Sequence, residues 1–320
     1  MARRLIRIVR PSSRNDLERL ARRLVSRPAT RWCMNAVYDR LSLARKKAFY
    51  ARFAKMFRGQ PQDIAPGEWR VNIAGRRAIL PLDGRDTWLE WDLAVSMLGH
   101  ETEIKRTYLD LLRVRRPGLF LDIGANYGLH SLFFLVHGVP TVSFEPNPHC
   151  HGYFRKLADR NRVRADIRPL ALGAEEGWAE ICFRESETWL GSSSPAVKAQ
   201  LTAGHGAVIG IRAAQTTLDA FVKHDGRRPG LIKIDTEGNE AAVLEGGRDT
   251  LRHVRPWVIF ESWHDDSREL LYELFEQVGY QISPLPFQEE RSRTVLDRAA
   301  LAAWPETNFM ARPIEDASAQ

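Results

Sequence analysis

Leu119-Phe120-Leu121-Asp122-Ile123-Gly124-Ala125-Asn126-Tyr127-Gly128 is the stretch whose reading decides the fold. From Leu119 to Ile123 it is apolar except for Asp122, and an apolar run without alternation suits a strand covered on both faces. Gly124 and Gly128 let the backbone turn sharply and approach a ligand with no Cβ in the way. Leu129 to Val136 then carries Leu, Phe and Val at helical density, and Gly138 stands where a C-terminal cap belongs. A strand, a glycine turn and a helix N-terminus together make a nucleotide-type binding crevice.

The next strand, Val139 to Phe144, stops at Glu145, which lies 21 residues after Gly124. A carboxylate at the tip of the second strand is where such a sheet hydrogen-bonds a ribose diol. Both nicotinamide dinucleotides and S-adenosylmethionine are held in this way. A dinucleotide fingerprint wants G-x-G-x-x-G, whereas this turn is D-x-G-x-x-x-G with Ala125 and Asn126 inside it. The usual cradle for a pyrophosphate is missing. That favours S-adenosylmethionine, whose amino-acid end needs polar groups but no diphosphate site.

A second stretch repeats the pattern: Leu231-Ile232-Lys233-Ile234-Asp235-Thr236-Glu237-Gly238-Asn239-Glu240 is an apolar strand ending in carboxylates before a helix. Trp257 to Phe260 reads as another buried strand, ending at Glu261, with His264 just beyond. Strands alternating with helices from 119 to 279 predict a doubly wound, mostly parallel, Rossmann-like α/β sheet. In such a sheet Asp122, Glu145, Asp235, Glu237, Glu261 and His264 come from four strand ends and meet on one rim.

Working outward, residues 146–148 open a helix to about Asp159, and Ile167 to Leu172 reads as a third strand. A hairpin strand follows at Trp178 to Phe183. The segment 184–210, with Ser192 to Ser194 and His205, shows no periodicity and reads either as an acceptor lid or as a mobile loop. Thr216 with Asp219 reads as a capping box for a helix to about Lys223. Before the first stretch, helical patterning runs through Leu93 to Leu112. The turn-rich residues 59–88 hold a hairpin, Trp69 to Ile73 and Ala78 to Leu80, closed near Gly75.

Charge is unevenly placed. Residues 1–58 hold 17 Lys or Arg against Asp16, Glu18 and Asp39, a balance of +14. The net charge of the whole chain is +7, so the other 262 residues carry −7. Leu17, Leu20, Leu24 and Val25 recur at helical spacing among arginines, an amphipathic basic helix of the kind that lies on an anionic membrane or binds an acidic partner. A second helical stretch runs from about Trp32 to Phe57. Asp16 and Glu18 spoil the acid-poor pattern of a mitochondrial presequence, and no apolar core of a secretory signal is present. Cys33, Cys150 and Cys182 are far apart, which predicts a reducing compartment and no structural zinc. No apolar run approaches the roughly 20 residues of a membrane span. The expected location is cytoplasmic; the basic segment reads either as a helical appendage whose arginines are solvated or as a peripheral contact with the inner face of the membrane. The expected division is a basic helical extension (1–58), a hairpin and helical lead-in (59–115), the cofactor-binding domain (116–313) and a tail (314–320).

The two quoted segments, 120–128 and 232–240, resemble those of the FkbM-type methyltransferases. Glu145-Pro146-Asn147, Ala171-Leu172-Gly173 and Asn308-Phe309-Met310-Ala311-Arg312-Pro313 fit as well, so the resemblance covers about residues 90–313. It implies an S-adenosylmethionine-dependent enzyme that methylates a hydroxyl of a saccharide, glycolipid or natural product. It places the methionine end of the cofactor at Asp122, Gly124, Ala125, Asn126, Tyr127 and Gly128. Glu145 is then expected to hold the ribose, and Pro146, Asn147, Ala171 and Leu172 to flank the adenine.

Methyl transfer to an alcohol needs in-line positioning and somewhere to send a proton, either a general base or a bound metal. Asp235 and Glu237 are the leading candidates for that catalytic role, with His264 as a further base. A divalent metal stays open as a cofactor, although no residue is assigned as its ligand. A nicotinamide oxidoreductase on the same fold is the alternative. An RNA methyltransferase using the basic N-terminus is another, but no strand interleaves aromatic and basic residues to stack bases, so nucleic acid is not the expected partner. The expected partner is a hydroxyl-bearing small molecule or glycan.

Overall fold

A computed structural model describes residues 20, 23–57, 67–82, 87–184, 187–203, 206–263, 267–287 and 294–314. Two compact units divide the chain, Met1–His100 and Glu101–Gln320.

In the first unit, the expected helix from Trp32 to Phe57 is two helices, α1 (Pro28–Tyr38) and α2 (Leu43–Phe57). The hairpin forms as expected, β1 (Gly67–Ile73) against β2 (Arg76–Leu82). Its two-residue turn puts Ala74 and Gly75 at φ +49° and +83°, the left-handed pair that matches strand twist. Helix α1 is fastened to it through polar groups rather than an apolar stripe. Arg31 donates to the carbonyls of Val25 (2.7 Å) and Glu68 (3.0 Å), and Asn35 donates to that of Arg70 (2.6 Å). The Trp69 indole donates to Asn35 at 3.0 Å and meets Trp91 of α3 (Thr87–Gly99) edge-on. Of the expected basic stripe, Leu17 lies outside the described residues, Leu20 and Leu24 are exposed, and Val25 is fully buried.

The second unit begins with α4 (Thr102–Val114). The expected continuous helix from Leu93 to Leu112 is therefore two helices, and Glu101 separates them at φ +48°. Beyond it lie β3 (Phe120–Ile123), α5 (Leu129–Leu135), β4 (Thr141–Phe144), α6 (Pro148–Asn161) and β5 (Asp166–Arg168). The middle of the unit holds β6 (Leu170–Leu172), β7 (Gly177–Arg184), β8 (Glu187–Ser192), α7 (Pro195–Ala203), β9 (Val208–Thr216) and α8 (Leu218–Asp225). It closes with β10 (Leu231–Ile234), α9 (Glu240–Glu245), β11 (Trp257–Glu261), α10 (Ser267–Gln277), β12 (Tyr280–Pro284), α11 (Arg298–Ala303) and β13 (Asn308–Pro313).

Seven strands form the main sheet in the order β12-β13-β11-β10-β3-β4-β5. Pairing is parallel from β11 to β5, and β13 alone runs antiparallel to its neighbours. Chain order runs outward from β3 through β4 to β5 on one side and from β10 to β11 on the other, with β13 inserted inside β12, so the crevice for a ligand opens at the carboxyl ends of β3 and β10. Leu121, Ile123, Val142, Phe144, Ile232, Ile234, Val258 and Phe260 are all buried, each contributing about 1.5–3 kcal/mol over leaving it in water. Arg268 of α10 is buried among carbonyls and donates to those of Ser262, Leu301, Trp304 and Glu306, joining four segments.

Three expectations are corrected here. The third strand is split at Pro169, whose missing N–H cannot serve a ladder. Its second half, β6, joins a separate four-stranded sheet, β6-β9-β7-β8. The segment 184–210 is not a structureless loop, since it forms β8, α7 and the start of β9. Val197 and Leu201 of α7 give it a small core with Cys182 and Trp263. Finally, Thr217 rather than Thr216 caps α8, accepting from the Ala220 N–H at 3.0 Å, while Asp219 accepts from Asp249 and Thr250. Cys33, Cys150 and Cys182 are free thiols. Among the described residues no helix is long and apolar enough to cross a membrane.

Candidate active site

The glycine turn after β3 is built from left-handed backbone, with Gly124, Asn126 and Gly128 at φ +80°, +52° and +81°. A Cβ on Gly124 would stand 1.7 Å from the Asp235 carbonyl oxygen, and one on Gly128 would stand 2.4 Å from the Phe154 ring. Only glycine lets the first turn lie against the end of β10. Ala125 and Tyr127 are buried, and the Tyr127 ring meets that of Tyr153 of α6 edge-on.

Glu145 closes this turn. Its two carboxylate oxygens accept from the Asn126 N–H (2.7 Å) and the Asn147 N–H (2.8 Å), and its side chain is buried. Burial pushes its carboxyl up to about 7, against the pull of those two N–H groups. Asn147 caps α6 by accepting from the His149 N–H, and Pro146 stands between the two. Ala171 and Leu172 are buried in β6, and the Leu172 carbonyl accepts from Asn239 at 3.3 Å. Asp122 sits in register with Lys233 and Ser143 in the middle of the sheet. Its Oδ2 accepts from Ser131 at 2.5 Å, and its Oδ1 is buried with no hydrogen-bond partner.

Asp235, Glu237 and Glu261 bring one carboxylate oxygen each to within 4.8 Å of one another. The turn that presents Asp235 and Glu237 is held by Glu240, whose Oε1 accepts from the Thr236 N–H, the Thr236 hydroxyl and the Gly238 N–H. Glu240 thus braces the turn from within, and the helix N-cap, Asn239, makes no side-chain cap bond. Ser192 donates to the Glu237 carbonyl at 2.6 Å and is buried, so the end of β8 grips this turn from above. Burial and the neighbouring Asp235 raise the Glu237 carboxyl to about 8 and that of Glu261 to about 9. Asp235 is paired with buried Lys233 at 2.6 Å. Burial disfavours charge on that lysine, but Asp235, Glu101 and Asp122 together outweigh it and hold the ammonium charged.

Sequence reasoning missed a row of polar groups beside this cluster. His130 lies 2.8 Å from Glu101 through Nε2 and 3.1 Å from the Tyr108 hydroxyl through Nδ1. Lys105 is drawn down to about 8 by burial, while Glu101 and Glu103 oppose the shift. Lys233 carried a legible signal, since a lysine inside an otherwise apolar strand is buried only with a partner. Glu101 carried none, because it stood inside what read as one helix. His264 and His205 lie outside the described residues.

A family model for the methyltransferase FkbM domain matches residues 122–282 of this chain. Among solved structures, the methyltransferase FkbM from Methylobacillus flagellatus KT is similar at 15% identity and a TM-score of 0.38, over 71% of this chain and 54% of that one. The match thus spans about half the length of the Methylobacillus protein. A SAM-dependent methyltransferase from Agrobacterium tumefaciens matches at 11% identity and a TM-score of 0.39, over 79% and 71% of the two chains. Precorrin-6y C5,15-methyltransferase from Geobacter metallireducens GS-15 matches at 11% identity and a TM-score of 0.35, over 71% and 89%. Among curated proteins nothing matches.

Proposed function

The chain belongs to the FkbM methyltransferase family, and on that premise we propose that it methylates a hydroxyl oxygen of a saccharide, glycolipid or natural product. When bound, S-adenosylmethionine supplies a methyl group on a positively charged sulfur. Two features of this chain fit that cofactor. The glycine turn admits no side chain at 124, and each Glu145 oxygen keeps a second lone pair for a ribose hydroxyl after serving its N–H. The buried Oδ1 of Asp122 is one more acceptor near the turn.

The observation that carries the oxygen chemistry is the cluster of Asp235, Glu237 and Glu261 at two adjacent strand ends. An alcohol must lose its proton as its oxygen takes the methyl carbon, and a base matched to neutral pH does this best. Glu237, raised to about 8, receives that proton. Asp235, anchored by Lys233, orients the hydroxyl. Three carboxylate oxygens at this spacing also suit a hard divalent cation, which is the second reading. A labelled-methyl screen over glycans and glycolipids, run with and without a chelator, tests both. Turnover insensitive to chelation supports the carboxylate base, loss restored by magnesium supports the cation, and no transfer to any hydroxyl defeats both.

We infer further that the basic first 58 residues bring the protein to an anionic membrane surface from the cytoplasmic side. Leu20, Leu24, Trp32 and Val37 are exposed there among arginines, an arrangement that suits the interfacial region of a bilayer.

A further inference from the structure

Ser192, the last residue of β8, is buried, and two hydrogen bonds fix its hydroxyl. It donates to the Glu237 carbonyl at 2.6 Å and accepts from the Ser194 N–H at 2.9 Å. We propose that Ser192 is a positioning residue of the active site, one that holds the Glu237 peptide so that the Glu237 carboxylate stays with those of Asp235 and Glu261. This role rests on the reading of Glu237 as proton acceptor or cation ligand.

Backbone geometry carries the proposal. Glu237 stands at φ +54°, in the left-handed region that such a side chain rarely adopts, and Gly238 follows at +94°. A conformation of this kind persists only where its surroundings over-determine it. The planar peptide between the two residues has two polar edges, the Glu237 carbonyl and the Gly238 N–H. Glu240 accepts from the N–H at 3.2 Å, but an accepting carboxylate oxygen cannot serve a carbonyl as well. Ser192 supplies the donor for that second edge, so the peptide is clamped along both. Releasing the carbonyl lets the peptide rotate and Glu237 relax toward ordinary backbone, which swings its side chain away from the cluster.

The segment around Ser192 is itself held. The Ser194 carbonyl accepts from the Lys198 N–H at 2.9 Å, which ties it to the first turn of α7. Val197 and Leu201 of that helix are buried with Cys182, and Arg184 donates to the Leu201 carbonyl at 3.0 Å. A Cβ on Gly238 would stand 3.4 Å from both Ser194 and Val197, so this arm packs directly on the clamped peptide. The aim of one catalytic carboxylate is thereby set by β8 and α7, elements that lie outside the main sheet.

Amide exchange of the full chain, resolved at Gly238, tests the clamp without any acceptor. Ser192→Ala should speed exchange there by roughly tenfold or more, as the peptide opens locally. Ser192→Cys keeps the volume and offers only a weak S–H donor, so it should fall between the two, and it carries the comparison should the alanine variant fail to fold. Thr202→Ala, whose exposed hydroxyl donates to the Lys198 carbonyl within α7, should exchange as the parent does. Parental exchange at Gly238 in both Ser192 variants overturns the proposal, and so does an equal rise in Thr202→Ala. Labelled-methyl transfer to a panel of methyl hexosides then tests the catalytic consequence. Ser192→Ala should lower kcat by roughly 10- to 100-fold, the cost of a misplaced group, while KM for S-adenosylmethionine barely moves. Added to Glu237→Gln, it should cost nothing further, because it acts through Glu237. Additive losses, or a slow Glu237→Gln beside a parental Ser192→Ala, overturn the positioning role alone. A parental rate in Glu237→Gln defeats the reading of the active site and the positioning role with it. Where no hexoside accepts the methyl group, the exchange result decides.

Discussion

Replacing Glu145 by Gln keeps the shape of a side chain that has both structural and binding duties. The carboxylate serves two N–H groups, Asn126 at 2.7 Å and Asn147 at 2.8 Å, one on each oxygen. Glutamine has one carbonyl oxygen, so one of those N–H groups must face an NH₂ instead. Leaving a buried donor unpaired costs about 1–3 kcal/mol. In a unit of this size that is roughly 2–12 °C of melting temperature. A ribose diol loses an acceptor in the same change, which should weaken S-adenosylhomocysteine by about 5–150-fold. The pH dependence has a defined sign. The folded carboxyl is raised from 4.5 to about 7, so the proton favours the fold. That contribution, about 3 kcal/mol, is present in full below the unfolded value and is lost as pH rises to about 7. Hydroxyl donors favour the charged form, so parental affinity should rise between about pH 5 and 8 and then level off, while the variant stays flat. Calorimetry across that range, with melting curves alongside, measures both effects. Parental affinity in the Gln variant at about pH 8 would refute the ribose assignment, and an unchanged melting temperature would refute the bracing of the turn.

Asp235→Asn and Glu237→Gln should each lower turnover by about 100-fold or more while cofactor affinity barely moves. Parental turnover should climb as Glu237 loses its proton near pH 8, and a flat profile there would count against it. Gly124→Ala adds a Cβ 1.7 Å from backbone at φ +80°, so the variant should lose about 3 kcal/mol or more, read by denaturant unfolding. Arg268→Met strands four carbonyls and should cost about 2–4 kcal/mol by the same assay; a loss below 1 kcal/mol would show that water replaces the guanidinium. Trp32→Ser and Leu24→Ser remove exposed apolar groups, so they should reduce co-sedimentation with anionic vesicles and leave stability unchanged. Full-length protein that stays in the supernatant at low salt would end the membrane reading.

What the chain order alone determined was the α/β alternation and the two glycine-and-carboxylate turns. Apolar runs such as Leu119–Ile123 and Leu231–Ile234 have only one stable placement, inside a sheet covered on both faces. Glu145 was legible for the same reason, because the tip of the second strand is fixed by the strand's own end. Tertiary structure decided which acids do which work. Glu237 and Glu240 look equivalent in sequence, yet Glu240 turns under the Thr236–Gly238 backbone and Glu237 faces Glu261 from a neighbouring strand. It also decided the fate of residues 184–210, since their periodicity is short and one of their core partners, Trp263, is remote in sequence. Glu101, His130 and Tyr108 come from two helices, and Ser192 and Glu237 from segments far apart in the chain. Local patterns report what a segment can form, and the meeting of distant side chains follows only from strand order and register.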